Sequence, residues 1–232
     1  MFGIKFDLAR YEPHVALLEA RPVEKGKILL YGDSFFGHSS FLLRVKYPDR
    51  IKPLVEDVVR TKDGEQAVLN HGFGGSCTDE LLYYYHRLVK PYEPRALVLH
   101  IGSNDTVYGY SPAEIAERVG VLVDWFRKDF PEAPVYIMNR TPNPKFLGQV
   151  DLSTRLRDEY NALLELLCAA KGCKLIRMNE MPIYFNDPAD IGDYNLIRTD
   201  IYNEDDQAHM NVKGYEMLMD YYKEFFEKEG LL

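Results

Sequence analysis

At 232 residues, with 46% hydrophobic residues, the chain is long enough for one large domain with a full core. Its formal net charge of −8 argues against nucleic acid or anionic lipid as the main partner. Three cysteines, Cys77, Cys168 and Cys173, are no disulfide framework. Cys168 and Cys173 can pair only if their Cα atoms come within about 7 Å; the expectation is buried thiols in a reducing compartment.

In chain order, residues 1–26 precede the first clear strand. Val15-Ala16-Leu17-Leu18, between Pro13 and Pro22, fits a short helix or an edge strand, and its expected role is to cover part of the core. The apolar run Lys27–Tyr31 reads as a buried strand closed by Gly32. Helical stretches follow around Ser40–Lys46 and Leu54–Arg60, then a turn at Asp63-Gly64 and a second strand, Gln66–His71. Helix Asp79–Val89 carries Leu81, Leu82, Tyr85, Leu88 and Val89 on one face. Strand three is Ala96–Ile101. Ser111-Pro112-Ala113-Glu114 is a capping box with proline at the first helical position, opening a helix to about Lys128. Strand four, Pro134–Asn139, leads through a loop, Arg140–Asp151, to helix Ser153–Ala170 and strand five, Lys174–Met178. Residues Asn179–Gln207 hold no sustained period. The last helix runs from the N-cap Asn211 to Lys228, with Gly230 just past its end.

Strands alternating with helices predict a parallel sheet with helices on both faces, a three-layer α/β/α sandwich. Five strands suit the flavodoxin-like order 2-1-3-4-5. The loops after strands one, two and three are then neighbours at the switch point, where such sheets bind ligands. Residues 1–232 are expected to form one domain, with 1–26 packed on it.

Four stretches carry residues for acyl transfer. Ser34 follows strand one in Gly32-Asp33-Ser34. Asn70-His71-Gly72-Phe73-Gly74-Gly75-Ser76 follows strand two. Gly102-Ser103-Asn104-Asp105 follows strand three, and Asp206-Gln207-Ala208-His209 precedes the last helix. Acyl transfer needs a nucleophile, a base, a group that orients the base, and donors for the oxyanion. Ser34 can be the nucleophile and His209 the base. Asp206, three residues before His209, can reach one ring nitrogen from a turn-like backbone; a helical register would also permit Asp205. The Gly75 N–H and the Asn104 amide can be donors. Taken singly, each residue also has a structural use, in a turn or beside a helix. The other histidines, His14, His38, His71, His86 and His100, show no comparable constellation; His71 and His100 end strands near the site, which leaves a secondary role open, but core or rim positions are the expectation.

In order and spacing these blocks resemble the SGNH hydrolases, the GDSL esterases and lipases. The resemblance covers about residues 27–225. It implies Ser34 as nucleophile, Asp206 and His209 as acid and base, and Ser34, Gly75 and Asn104 as the oxyanion hole. Block two also contains Gly74, which leaves a second candidate for the backbone donor; spacing from Asn70 favours Gly75. Gln207-Ala208 stands where the family often has a glycine. The α/β-hydrolase elbow Gly-x-Ser-x-Gly fits less well, because Phe36 replaces its second glycine. A phosphate-binding loop would need a lysine where Ser76-Cys77 follows Gly75. Glu204, Asp205, Asp206 and His209 lack a second histidine or a cysteine at metal-ligand spacing.

The resemblance implies ester hydrolysis through an acyl-enzyme, with no cofactor and no metal. The polar and aromatic loops around Asn143, Tyr184, Asn186, Tyr194 and Asn195 suit a short acyl group, such as acetyl, on a polar or carbohydrate alcohol. Lysophospholipase, thioesterase and acyltransferase activities remain open, as does a catalytically silent binding domain. No apolar run reaches the about 18 residues of a membrane span, and the start, Met1–Asp7, lacks a signal-peptide core. The expected protein is therefore soluble and cytoplasmic, with no nucleic-acid or membrane partner. Its oligomeric state is open.

Overall fold

The computed structural model describes residues 3–46, 54–140, 143–146 and 152–232. Its centre is a five-stranded parallel sheet in the order β2-β1-β3-β4-β5, formed by β1 (Ile28–Gly32), β2 (Val68–Asn70), β3 (Ala96–His100), β4 (Val135–Met138) and β5 (Lys174–Ile176). This is the expected order. The strands are apolar almost throughout because both faces are covered, as a parallel sheet requires. Alternate residues serve alternate faces. Leu29, Tyr31, Leu97 and Leu99 enter one core; Ile28, Leu30, Ala96 and Val98 enter the other.

The helices are α1 (Glu12–Glu19), α2 (Ser34–Gly37), α3 (Phe41–Lys46), α4 (Val55–Val58), α5 (Thr78–Leu88), α6 (Ser103–Val107), α7 (Pro112–Asp129), α8 (Leu152–Lys171) and α9 (Val212–Lys228). The first core takes Val15 and Leu18 of α1, Leu81 and Leu88 of α5, Val119 and Phe126 of α7, and Leu164 of α8. The second takes Val55 of α4, Tyr184 and Ile201 of the irregular segment, and Leu218, Tyr222 and Phe226 of α9. The two readings left open for residues 15–18 resolve to helix.

Capping follows the sequence signals. The Ser111 hydroxyl accepts from the Glu114 N–H at 3.3 Å, and the Glu114 carboxylate accepts from the Ser111 N–H at 2.8 Å. Asn211 caps α9 through its side-chain oxygen, which accepts from the Gly214 N–H at 3.0 Å. Two elements fall furthest short of their expected lengths. The stretch at Leu54–Arg60 is a single turn, because Val59 is already extended (φ −89°, ψ 109°). Gln66 bridges antiparallel to Arg60 outside the sheet, so β2 begins at Val68.

Of the loop expected at Arg140–Asp151, residues 141–142 and 147–151 lie outside the described residues; Pro144–Phe146 is a 3-10 turn. The aperiodic stretch after β5 is a series of short 3-10 turns at Met178–Glu180, Pro182–Tyr184, Pro188–Asp190 and Tyr194–Leu196. Cys77, Cys168 and Cys173 are free thiols; Cys173 is half-buried, not fully buried as expected. No helix among the described residues is long and apolar enough to cross a membrane.

Candidate active site

Strand β1 delivers Ser34 to the carboxyl end of the sheet. A Cβ on Gly32 would lie 2.0 Å from the His100 carbonyl oxygen, so only glycine lets β1 and β3 close here. Beyond it the Asp33 N–H donates to that same carbonyl at 3.1 Å. The buried Asp33 carboxylate then caps α2, accepting from the Phe35 N–H at 3.0 Å. It also faces His100 Nδ1 at 3.0 Å. Ser34 is thereby the first residue of α2, where a backbone N–H has no intrahelical acceptor.

The loop after β2 is tied to this turn. The Phe73 N–H donates to the Gly32 carbonyl at 3.0 Å, and the Ser76 hydroxyl to the same oxygen at 3.2 Å. The Asn70 amide donates to the Phe36 carbonyl at 3.0 Å and accepts from the Gly72 N–H at 2.9 Å. Gly74 lies against Ser34: a Cβ on it would stand 3.7 Å from that of the serine. Among the described residues, neither the Gly74 nor the Gly75 N–H donates to a protein acceptor. The loop after β3 closes the group. Asn104, on the first turn of α6, donates from Nδ2 to the Ser76 carbonyl at 3.0 Å.

The remaining two residues come from far along the chain. His209 Nε2 lies 3.0 Å from Ser34 Oγ, and His209 Nδ1 lies 2.8 Å from Asp206 Oδ2. The other Asp206 oxygen accepts from the Ala208 and His209 N–H groups at 2.9 and 3.0 Å. Burial pushes the Asp206 carboxyl up, but these two N–H groups and the imidazole outweigh it and hold the carboxyl at about 2. Gln207 takes a left-handed backbone (φ 52°) between them, at the point where the family often has a glycine. Asp205 is exposed, so the partner of His209 is Asp206. Among the described residues, no three His, Cys, Asp or Glu side chains converge as a metal site.

The model of the GDSL-like lipase/acylhydrolase family matches residues 30–217. The chain belongs to that family. It is a hydrolase of ester bonds. No curated protein matches the sequence. Solved structures match the fold. A GDSL-like lipase of Bacteroides thetaiotaomicron aligns over 96% of this chain and 100% of its own, with TM-score 0.70 and 13% identity. The acetylxylan esterase of Geobacillus stearothermophilus aligns over 87% and 94%, with TM-score 0.61 and 15% identity. A psychrotrophic esterase of Pseudoalteromonas, in a structure inhibited by monoethylphosphonate, aligns over 88% and 98%, with TM-score 0.60 and 17% identity.

Around the Ser34–His209 pair this acylhydrolase has a cleft of about 260 Å³. Asn104, Thr106, Asn143 and Lys145 supply polar lining; Phe35, Tyr184 and Tyr202 supply rings. Of the loop residues expected to face substrate, Asn143 and Tyr184 line the cleft, whereas Asn186 and Asn195 are exposed. Two of the other histidines stand at the site: His38, for which no such place was expected, and His100, expected near it at the end of strand three. His38, at the end of α2, stacks on the His209 ring, with centroids 4.3 Å apart and planes at 16°. His100 lines the cleft beside Asp33. His71 is a core residue. Its ring faces the Leu88 carbonyl at 2.7 Å, and burial pulls its pKa down to about 4. Arg140, at the end of β4, was not legible as a site residue. It lines the cleft, and among the described residues its buried Nη1 has no hydrogen-bond partner. No motif marked it; its place follows only from β4 lying beside β3.

Proposed function

We propose that this acylhydrolase cleaves esters of short acyl groups, acetyl above all, from polar or carbohydrate alcohols by way of an acyl-enzyme on Ser34. The observation that carries the reading is the unbroken path from the Asp206 carboxylate through both nitrogens of His209 to Ser34 Oγ, at 2.8 and 3.0 Å. His209 Nε2 takes the proton as Ser34 Oγ attacks the ester carbonyl, and gives it to the departing alkoxide. The same nitrogen then takes a proton from water, which hydrolyses the acyl-serine. Asp206 keeps Nδ1 protonated and stabilises the imidazolium. The N–H groups of Ser34 and Gly75 and the Asn104 amide receive the oxyanion. The chemistry needs no cofactor.

The substrate class is supported by the modest cleft and its mixture of amides, hydroxyls and rings, which suits a sugar face better than a long hydrocarbon chain. The fold's likeness to an acetylxylan esterase points the same way. Purified protein is to be assayed on p-nitrophenyl esters from acetate to laurate and on acetylated xylo-oligosaccharides. Acetate and butyrate should give the higher kcat/KM, with release of acetate from the oligosaccharide. Preference for chains of about ten carbons or more would overturn the substrate assignment. Product partition in the presence of acceptor alcohols separates hydrolysis from acyl transfer.

A further inference from the structure

The segment before β1 does more than cover the core: it grips the loop that carries Gly75. The Asp7 carboxylate accepts from the Ala9 N–H at 2.9 Å and caps a 3-10 turn, Leu8–Tyr11. That turn presents Arg10 and Tyr11 to the Gly74-Gly75 pair. The Tyr11 hydroxyl donates to the Gly74 carbonyl at 2.9 Å, and Arg10 Nη2 donates to the Gly75 carbonyl at 3.1 Å. Arg10 is itself fixed by the buried Glu80 carboxylate, which accepts from Nη2 at 3.0 Å and from the Cys77 N–H at 2.8 Å. The Tyr11 ring packs on Phe73, with centroids 5.0 Å apart.

The Gly74 carbonyl and the Gly75 N–H belong to one planar trans peptide, so they point in opposite directions. Fixing the oxygen fixes the N–H. A peptide between two glycines is the easiest kind to flip, because neither residue has a Cβ to hold it. Flipped, it would turn a carbonyl oxygen toward the place the N–H now faces. Gly75 has φ 84°, and a Cβ there would come 2.6 Å from the Tyr11 oxygen. The bare backbone and the phenol are therefore fitted to each other. Burial pushes the Tyr11 hydroxyl pKa up against the lowering effect of Arg10, so the phenol stays protonated and donates.

We propose that Tyr11, steadied by Arg10, is a positioning residue that holds the Gly74–Gly75 peptide with its N–H toward the oxyanion. The inference rests on the reading of Gly75 as an oxyanion donor. Tyr11→Phe keeps the ring and its packing and removes only the hydrogen bond, whereas truncating Arg10 would strand the buried Glu80 and confuse stability with catalysis. Deleting an oxyanion donor outright costs about 10²–10³ in kcat, so loosening one should cost about tenfold. On p-nitrophenyl acetate, Tyr11→Phe should lower kcat by about tenfold with KM within about twofold, because a donor to the oxyanion acts in the transition state. Inactivation by an organophosphonate ester, which loses its leaving group and leaves a tetrahedral phosphonyl group on the serine with its phosphoryl oxygen where the oxyanion would form, should slow by a similar factor. Tm should stay within about 2 °C, as expected for one partly exposed hydrogen bond. Unchanged kcat, or a change confined to KM or Tm, overturns the inference. Ser34→Ala is assayed alongside: if it retains turnover, the reading of the whole site fails and the inference with it. If Ser34→Ala is inactive and Tyr11→Phe is wild-type, only the role of Tyr11 fails.

Discussion

The two halves of the proposed site are built by different means. Ser34, Gly75 and Asn104 follow the carboxyl ends of three neighbouring strands, β1, the edge strand β2 and β3, and the segments that carry them are cross-tied: Phe73 and Ser76 to Gly32, Asn70 to Phe36, Asn104 to Ser76. Asp206 and His209 sit at the end of an irregular segment and are held locally. The Asp206 carboxylate accepts two N–H groups of its own turn. The Asn203 N–H donates to the His209 carbonyl at 2.8 Å, and Asn211 donates to the Asp200 and Tyr202 carbonyls at 2.9 and 3.0 Å. One half inherits its geometry from the sheet, so disturbing it disturbs folding. The other is a turn bonded mostly within its own segment, with an outside tie from the Lys145 N–H to the Gln207 carbonyl at 3.2 Å, so disturbing its side chains should damage chemistry and spare the fold.

The largest expected contrast comes from Gly32→Ala. Its Cβ would meet backbone, which cannot move aside as a side chain can. A cost of about 3 kcal/mol would lower Tm by about 6–12 °C in thermal unfolding followed by circular dichroism. Asp206→Asn should instead leave Tm nearly unchanged and lower kcat by about 10²–10⁴, since the amide no longer holds the right tautomer or stabilises the imidazolium. An unfolding defect in Asp206→Asn, or wild-type thermal stability in Gly32→Ala, would erase the distinction between the halves.

Asp105 sharpens the comparison from the side of stability. It lies next to Asn104, is fully buried, and accepts from the Thr78 N–H at 3.0 Å. Burial pushes its carboxyl up from 3.8 to about 6, despite the bonds from Thr78. The folded state therefore holds the Asp105 proton more tightly than the unfolded chain does. Stability falls as pH rises from about 3.8 to 6, and the penalty is complete above that window. Asp105→Asn keeps an oxygen for Thr78 and removes the charge. Its Tm should exceed that of wild type by about 2–4 °C at pH 8, with the advantage gone by about pH 4. His71 acts in the opposite sense: neutral when folded, it costs stability as pH falls from 6.5 through about 4. The Asp105 effect is accordingly read as variant minus wild type at each pH. The smallest effect is expected at Asp205→Asn, an exposed charge outside the turn's bonding, where kcat/KM should stay within about tenfold.

The same division explains what was legible in the sequence. The strands and their order followed from short apolar runs between helical repeats, and the glycine ending β1 marked where a side chain had to emerge. The Asp-x-x-His spacing made the Asp206–His209 contact of the proposed site legible because the turn that joins the two is local. Long-range packing left no such trace. Nothing near His38 indicates that its ring stacks on His209, and Arg140 enters the cleft only because β4 lies beside β3. The grip of Tyr11 on Gly74 joins positions 63 residues apart, and a lone tyrosine before the first strand carries no periodicity to reveal it. The stretch Asn179–Gln207 gave no period because it folds as isolated 3-10 turns; those at Pro182–Tyr184, Pro188–Asp190 and Tyr194–Leu196 are opened by a proline or an aspartate cap, such as Asp187 to the Ala189 N–H and Asp193 to the Asn195 N–H.

The central claim is that Ser34 is the nucleophile, and covalent labelling tests it most directly. Wild-type protein and Ser34→Ala are treated with an organophosphonate ester, digested, and examined by tandem mass spectrometry, with residual p-nitrophenyl acetate turnover measured in parallel. The account predicts one adduct, on the peptide containing Ser34, growing in step with the loss of activity, and a Ser34→Ala variant that folds normally, takes no label and has lost at least about 10⁴ in kcat. Labelling at another residue together with turnover by Ser34→Ala would contradict it.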